Sequence, residues 1–165
     1  MPGKTTLKEN SSLKNRTNGK QPVRHFGILE IPRRFTTPGS NPLDEMVYVR
    51  RTSVITNPDG STVFKMENVE VPESWSQLAT DIIASKYFRK AGVPESGQEK
   101  SARQVVYRVA HTLRKAGERL GGYFHNKEEA DTFEAELTHL LIHQKGAFNS
   151  PVWFNCGLWD EYKIG

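Results

Sequence analysis

The stretch that most constrains how this chain can fold lies near its end, at residues 147–157. It carries four large apolar side chains, interleaved with asparagine, serine and cysteine rather than with charged residues. Each large apolar side chain left in water forgoes about 1.5–3 kcal/mol, and buried polar groups need hydrogen-bond partners. We therefore predict an interior loop or a short strand whose polar groups have partners, some of which a ligand could supply.

A β-hairpin is the clearest local signal upstream of that stretch. Two segments rich in β-branched and aromatic residues flank the turn sequence Asn57-Pro58-Asp59-Gly60, a pattern typical of paired strands. The hairpin is expected over residues 46–71. Because a two-stranded hairpin is marginal alone, it needs a further surface on which to pack.

Three amphipathic helices are predicted to follow, at about residues 74–90, 99–120 and 127–145. Ser74 with Gln77, and Asn126 with Glu129, have the spacing of helix-capping pairs. The residues expected to face inward repeat every three or four positions. They are Trp75, Leu78, Ala79, Ile82, Ile83 and Tyr87; Val106, Val109, Ala110, Leu113, Ala116 and Leu120; and Ala130, Phe133, Leu137, Leu140 and Leu141.

Composition bounds the class of protein. The chain has 165 residues, of which 36% are hydrophobic and 10% aromatic, enough for the core of one domain. No apolar run approaches the length of about 18 residues that a membrane span needs, and the N-terminus lacks the apolar centre of a signal peptide. A soluble, cytoplasmic protein is expected.

The positive charge is concentrated in an N-terminal arm. Residues 1–42 contain eight Lys or Arg against two acids, whereas residues 43–165 contain 15 against 17. Residues 1–24 have too little apolar surface to offset the entropy of ordering, so a disordered arm is expected. Residues 25–45, interrupted by prolines and glycines, are predicted to form an extended strap.

The arm leaves a second functional hypothesis open: a non-catalytic binding module that contacts nucleic acid or nucleotide phosphates. Such a run of charge more commonly indicates a solvated, disordered N-terminal segment that keeps the protein soluble. The basic residues concerned are Lys4, Lys8, Lys14, Arg16, Lys20 and Arg24.

Several side chains have patterns that could carry chemistry, and each has a simpler explanation. His139 and His143 have the spacing of a two-histidine metal site, but no third ligand is apparent, so a solvated or capping role is favoured and no metal is expected. His111 is expected to pack. The acidic residues at 128–136 could supply a carboxylate pair for general acid and base chemistry, but at the start of a helix they are more simply explained as complementing its dipole. Cys156, the only cysteine, is most simply explained as a packing residue.

Ser150 is the best-placed candidate for ligand binding. It lies between Asn149 and the rigid Pro151 at a junction between a helix and a loop. Its hydroxyl and the nearby backbone amides could meet an anion or a sugar hydroxyl. The alternative is a serine that only forms a turn before proline, and the chemistry alone does not decide between the two.

The run Phe-Asn-Ser-Pro-Val-Trp-Phe-Asn-Cys-Gly at residues 148–157 resembles the N-terminal part of adenosylcobalamin-dependent, class II ribonucleotide reductases. The resemblance covers roughly residues 25–165. It includes further runs at residues 50–52, 63–64, 75–79, 86–88, 104–106 and 108–110.

This resemblance implies an α+β fragment that would precede a ten-stranded α/β barrel. It also implies reduction of ribonucleotides, as by a ribonucleoside-diphosphate reductase, through a thiyl radical that adenosylcobalamin initiates. In the family, the serine of the Asn-Ser-Pro motif contacts the substrate, which maps onto Ser150. Residues 147–157 would then be a substrate-binding loop.

The family's thiyl cysteine, its redox cysteine pair and its later phosphate-binding segment have no counterpart in these 165 residues. Cys156 matches none of those cysteines and receives no redox role. We therefore expect no catalytic residue in this chain and no activity from it alone, and we assign it no cofactor-binding residue. Its expected partners are the ribonucleotide, the remaining catalytic part and a thiol reductant such as thioredoxin.

Overall fold

A computed structural model of the chain describes residues 30–164, so the predicted disordered arm at 1–24 lies outside the described residues. The elements that follow are two strands and a series of helices. They are β1 (Tyr48–Thr56), β2 (Thr62–Pro72), α1 (Gln77–Ile82) continued by a π-helical turn (Ile83–Tyr87), α2 (Ala102–Leu120), α3 (Lys127–Ile142), α4 (Ser150–Asn155) and α5 (Leu158–Tyr162). The predicted α+β class is confirmed.

The predicted hairpin is confirmed. β1 and β2 pair antiparallel, with Tyr48 opposite Pro72 and Thr56 opposite Thr62. The predicted turn closes through a hydrogen bond from the Gly60 N–H to the Asn57 carbonyl of 2.9 Å. The hairpin obtains its further surface from α2, because the Glu70 N–H donates to the Lys100 carbonyl at 2.8 Å just before that helix.

The first predicted helix is shorter than expected and begins at a different cap. Ser76, not Ser74, is the N-cap residue, and its hydroxyl accepts from the Ala79 N–H at 3.1 Å. Gln77 donates to the Thr52 carbonyl at 3.0 Å and therefore ties α1 to the hairpin instead of completing a capping box with Ser74. After Ile82 the helix widens into a π-helical turn that ends at Tyr87.

The two long helices begin at side-chain caps. α2 starts with a complete capping box formed by Ser101 and Gln104, which the sequence analysis did not identify. α3 starts at Asn126 as predicted, with the Asn126 side chain accepting from the Glu129 N–H at 2.9 Å. The Glu129 carboxylate accepts from the N–H of His125, one residue earlier than a capping box requires.

The core forms where the hairpin, α1, α2 and the end of α3 meet. Its buried apolar residues include Val69, Val71, Trp75, Ile83, Val105, Val106, Val109 and Ile142. The Trp75 indole N–H donates to the Ile142 carbonyl at 2.8 Å, which joins the start of α1 to the end of α3. Three residues predicted to face inward, Leu78, Ile82 and Leu120, are exposed, because α1 covers the core with one side only and α2 extends past it.

Residues 30–47 contain turns and bends and contact both long helices, since the Arg103 side chain on α2 donates to the Leu43 carbonyl at 2.9 Å. The Glu136 carboxylate on α3 accepts from the N–H groups of Phe35 and Thr36, the latter at 2.9 Å, and from the Thr36 hydroxyl at 2.7 Å. Glu136 was expected to complement the helix dipole, but its charge is satisfied by this segment. No helix within residues 30–164 combines the length and the apolar character that crossing a membrane requires.

Candidate functional site

Residues 147–157 were predicted to form an interior loop or a short strand. That prediction is wrong, because the segment contains the short helix α4. Its helical period places Trp153 in the core and half-buries Val152 and Cys156, while Asn149 and Phe154 remain exposed. The Trp153 indole N–H donates to the Phe148 carbonyl at 2.9 Å. The aromatic content is therefore accommodated by folding one face of α4 back onto the helices.

A buried ion pair attaches α4 to the body of the protein. Arg108 on α2 and Glu99 have no exposed side-chain surface, and their Nε and Oε1 atoms are 2.8 Å apart. The Arg108 guanidinium also donates to the Trp153 carbonyl at 3.1 Å and to the Cys156 carbonyl. Arg108 thus satisfies the otherwise free carbonyls at the end of α4.

Glu99 is equally well satisfied. Besides Arg108, its carboxylate accepts from the Arg89 N–H at 2.7 Å and from the Tyr162 hydroxyl on α5 at 2.9 Å. Burial, reinforced by the neighbouring Glu99 carboxylate, raises the pKa of Tyr162, so this hydroxyl stays protonated and donates. One buried carboxylate and one buried guanidinium therefore hold both terminal helices.

Gly157, between α4 and α5, lies directly against α2. Its φ of +81° is in the left-handed region that favours glycine. A Cβ at this position would lie 2.5 Å from the Thr112 hydroxyl oxygen and 2.7 Å from the Arg108 carbonyl oxygen. Both the backbone conformation and the close approach therefore require glycine at the bend that brings α5 back to the body.

Ser150, the predicted substrate-binding residue, is the first residue of α4 and is half-buried. Its hydroxyl oxygen lies 3.2 Å from the phenol oxygen of Tyr87, 63 residues earlier in the chain. The Tyr87 ring packs against Trp153 and Phe154, with centroid distances of 6.1 and 5.4 Å. The structure thus pairs Ser150 with an aromatic hydroxyl that the sequence analysis had placed only on an apolar face.

An apolar groove of about 230 Å³ runs beside this pair. Its walls include Trp75, Ile83, Tyr87 and Trp153, and the end of α3 closes it. Tyr87 is therefore shared between the groove and the contact with Ser150.

Cys156 does not have the surroundings of a reactive thiol. Burial raises the pKa of its side chain, and the nearby Arg108 guanidinium only partly opposes this effect. A thiol is nucleophilic as the thiolate, so a raised pKa disfavours reactivity. The packing interpretation of Cys156 agrees with its contact with the core.

His139 and His143 lie together. His143 is exposed and is the C-cap residue of α3, in agreement with the predicted solvated or capping role, but His139 is not solvated. It is only 9% exposed, stacks on Phe35 with a centroid distance of 5.0 Å and lies 4.1 Å from the His143 ring. Neither ring nitrogen of His139 has a hydrogen-bond partner among the described residues. Burial lowers its pKa, and His143 and Lys145 lower it further. No group of three potential metal ligands occurs within residues 30–164.

Two other acidic side chains of α3, Asp131 and Glu134, link it to α2. Glu134 pairs with Arg114 at 2.8 Å and with His111 at 2.7 Å, and Asp131 pairs with Arg114 at 2.9 Å. These residues have partners within the helix pair, so a general acid and base role is not supported for them.

The sequence model of the family described as class II vitamin B12-dependent ribonucleotide reductase matches residues 49–144. That range runs from the hairpin to just beyond the end of α3. The chain belongs to this family.

Individual class II reductases show the same likeness and extend it over most of the chain. The vitamin B12-dependent ribonucleotide reductase of Streptomyces clavuligerus is 46% identical over 145 residues, which is 87% of the chain and 14% of the relative. That of Streptomyces avermitilis is 49% identical over 131 residues, 78% of the chain and 13% of the relative. That of Agrobacterium fabrum is 39% identical over 168 residues, 82% of the chain and 13% of the relative. The chain thus spans about one seventh of the length of these reductases.

Sequence reasoning missed Arg108, Glu99 and Tyr87 as residues that shape the site. One signal for Arg108 was present, because it lies in α2 between Val105 and Val109, which belong to the buried face. A cation within an apolar stripe needs a buried partner. Nothing in the local sequence pattern identified Glu99 as the partner of Arg108 or Tyr87 as the partner of Ser150.

Proposed function

We propose that this chain is the N-terminal region of an adenosylcobalamin-dependent ribonucleotide reductase and that Ser150 contacts the ribonucleotide substrate. The names of its relatives support the reaction class. The observation that supports the role of Ser150 is the position of its hydroxyl. This hydroxyl is paired with that of Tyr87, and it lies on α4, the helix that the buried Arg108–Glu99 ion pair holds in place. Pre-positioning of this kind is what a binding residue requires.

The proposed net reaction replaces the ribose 2′ hydroxyl with hydrogen. The carbon gains two electrons, the hydroxyl leaves as water, and a pair of thiols supplies the electrons and protons while forming a disulfide. Cys156 is the only cysteine of this sequence, so it cannot form the pair by itself. The proposed contribution of this chain is binding and positioning, and thiols of the remaining catalytic part do the reduction.

Adenosylcobalamin, when bound to the complete enzyme, supplies the initiating radical. The groove beside Ser150 does not fit this cofactor. The apolar groove beside Tyr87 measures about 230 Å³, which is below the roughly 300–1,000 Å³ of pockets for drug-sized ligands, and a corrin with its nucleotide tail is larger. We therefore assign no residue of this groove to the cofactor, and we propose that the remaining part of the enzyme binds it.

The role of Ser150 is tested in the complete reductase with the substitution Ser150→Ala. A hydrogen bond to substrate contributes about 0.5–1.5 kcal/mol, or more when the acceptor is charged. We therefore expect KM for the ribonucleotide to rise about three- to tenfold, measured as deoxyribonucleotide formation with adenosylcobalamin and a dithiol. Ser74→Ala is a matched control, because Ser74 is an exposed serine on the turn before α1.

An unchanged KM in Ser150→Ala would remove Ser150 from the substrate site. The same assay applied to the isolated 165-residue chain tests whether catalysis needs the remaining part. No product is expected, and turnover by the isolated chain would contradict the proposal.

A further inference from the structure

The phenol of Tyr87 reaches Ser150 from the π-helical turn that follows α1. Tyr87 is the last residue of the π-helical turn, and the Phe88 N–H donates to the Ile83 carbonyl at 2.9 Å to close that turn. A π-helical turn inserts an extra residue into a helix and redirects the side chains after it, and such turns are frequent at functional sites. Here the turn delivers a phenol to the Ser150 hydroxyl.

The direction of the Tyr87 side chain is set by packing. Its ring lies against Trp153 and Phe154 of α4 and forms part of the groove wall. Trp153 is itself fixed, through its indole N–H to Phe148 and through its carbonyl to Arg108. The phenol oxygen is therefore held at its position beside Ser150 by contacts that do not involve Ser150.

The chemistry of the two hydroxyls indicates which one donates. Each hydroxyl has one proton and two acceptor lone pairs. A phenol is a stronger acid than an alcohol, so Tyr87 is the better donor and Ser150 the better acceptor across their separation of 3.2 Å. The Ser150 proton is then free to point away from Tyr87, toward an acceptor.

We infer that Tyr87 is a positioning residue that orients the Ser150 hydroxyl as a donor to an acceptor oxygen of the ribonucleotide. This inference rests on the proposed substrate contact of Ser150. It adds that Ser150 is the donor in that hydrogen bond and that Tyr87 orients it. The acceptor oxygen belongs to a phosphate or to a ribose hydroxyl, which share this chemistry.

The test is a double-mutant cycle in the complete reductase with Tyr87→Phe, Ser150→Ala and the double variant. Tyr87→Phe keeps the aromatic ring against Trp153 and Phe154 and removes only the hydroxyl. It is expected to raise KM about threefold, with a smaller change in kcat. In the Ser150→Ala background the same substitution should leave KM unchanged, because its effect passes through Ser150. Tyr123→Phe, at an exposed tyrosine, is the matched control.

The outcomes separate this inference from the proposed function. If Ser150→Ala raises KM and Tyr87→Phe does not, the positioning role is wrong while the substrate contact stands. If Tyr87→Phe raises KM by the same factor in both backgrounds, Tyr87 acts through packing and the inference is overturned. If neither substitution changes KM, the proposed substrate contact itself fails.

Competitive inhibition distinguishes the two sources of the acceptor oxygen. A phosphate acceptor predicts that Tyr87→Phe weakens inhibition by a ribonucleoside diphosphate but not by the corresponding nucleoside. A ribose acceptor predicts that it weakens inhibition by both. Equal inhibition of the variant and the original enzyme by both compounds would overturn the inference.

Discussion

Two segments are attached to the helix pair α2–α3 by ionisable side chains. The two attachments differ in whether the buried charge is neutralised by an opposite charge or satisfied by neutral hydrogen-bond donors. At the end of the chain, the guanidinium of Arg108 and the carboxylate of Glu99 are both fully buried and hold α4 and α5. At residues 30–47, the charge of Glu136 is satisfied by N–H and hydroxyl groups, and the neighbouring His139 is buried with its pKa lowered.

The difference leads us to expect that the attachment at the end of the chain is the more sensitive to the loss of a partner. A buried charge is tolerated only when partners surround it, and losing one partner leaves the other uncompensated. Arg108 and Glu99 therefore hold the segment with Ser150 in one arrangement. His139, which stacks on Phe35 and lies against the tilted ring of His143, contributes packing that is favoured when its imidazole is neutral.

The largest expected effect comes from breaking the buried pair. Arg108→Met leaves the Glu99 carboxylate buried without its counter-ion and frees two carbonyls of α4. We expect the free energy of unfolding to fall by about 3–5 kcal/mol, measured by urea denaturation of the chain. The control is Arg114→Met in the α2–α3 network, whose ion pairs are partly exposed rather than fully buried, so a smaller loss than that of Arg108→Met is expected.

Adding Glu99→Gln to Arg108→Met should recover part of the loss, because the buried charge is removed while an acceptor remains for Tyr162. A double variant less stable than Arg108→Met alone would contradict the role assigned to the buried pair.

A smaller effect is expected at the other attachment. Although burial opposes ionisation, hydrogen bonds from the Thr36 hydroxyl and the Phe35 N–H lower the pKa of Glu136, which indicates that the charged form is the one bound. Glu136→Gln keeps one acceptor oxygen and loses the charge, so a loss of about 1–2 kcal/mol is expected. Amide hydrogen exchange at Phe35 and Thr36 should accelerate, whereas Glu128→Gln, on the exposed first turn of α3, should leave it unchanged.

The smallest effect is a dependence of stability on pH at His139. Its folded pKa lies below the ordinary value of 6.5, because burial, His143 and Lys145 outweigh Glu136 and Glu45. The unfolded chain therefore takes up the proton first, and stability is lost as pH falls from about 6.5 toward the folded pKa. The slope for one proton is at most about 1.4 kcal/mol per pH unit.

Urea denaturation between pH 7.5 and pH 5.5 measures this slope. It should diminish in His139→Leu and persist in His125→Leu, which alters an exposed histidine. An unchanged slope in His139→Leu would show that His139 is not the group that titrates.

Local sequence patterns were sufficient for the elements whose partners are close in the chain. The hairpin follows from β-branched residues on both sides of Asn57-Pro58-Asp59-Gly60, and α3 begins at Asn126 because a side-chain cap acts within one turn. The same reasoning failed for α1, where Ser74 and Ser76 both offered a cap and contacts with the hairpin selected Ser76.

The sequence by itself determined the family of this chain, its hairpin and long helices, and Ser150 as the residue proposed to meet substrate. Only the tertiary structure decided that residues 150–155 are helical, that Arg108 holds their carbonyls, and that Tyr87 lies beside Ser150. The physical reason is distance along the chain. Burial, desolvation and hydrogen bonds between residues dozens of positions apart depend on how the elements pack, and the periodicity of a single segment does not encode that packing.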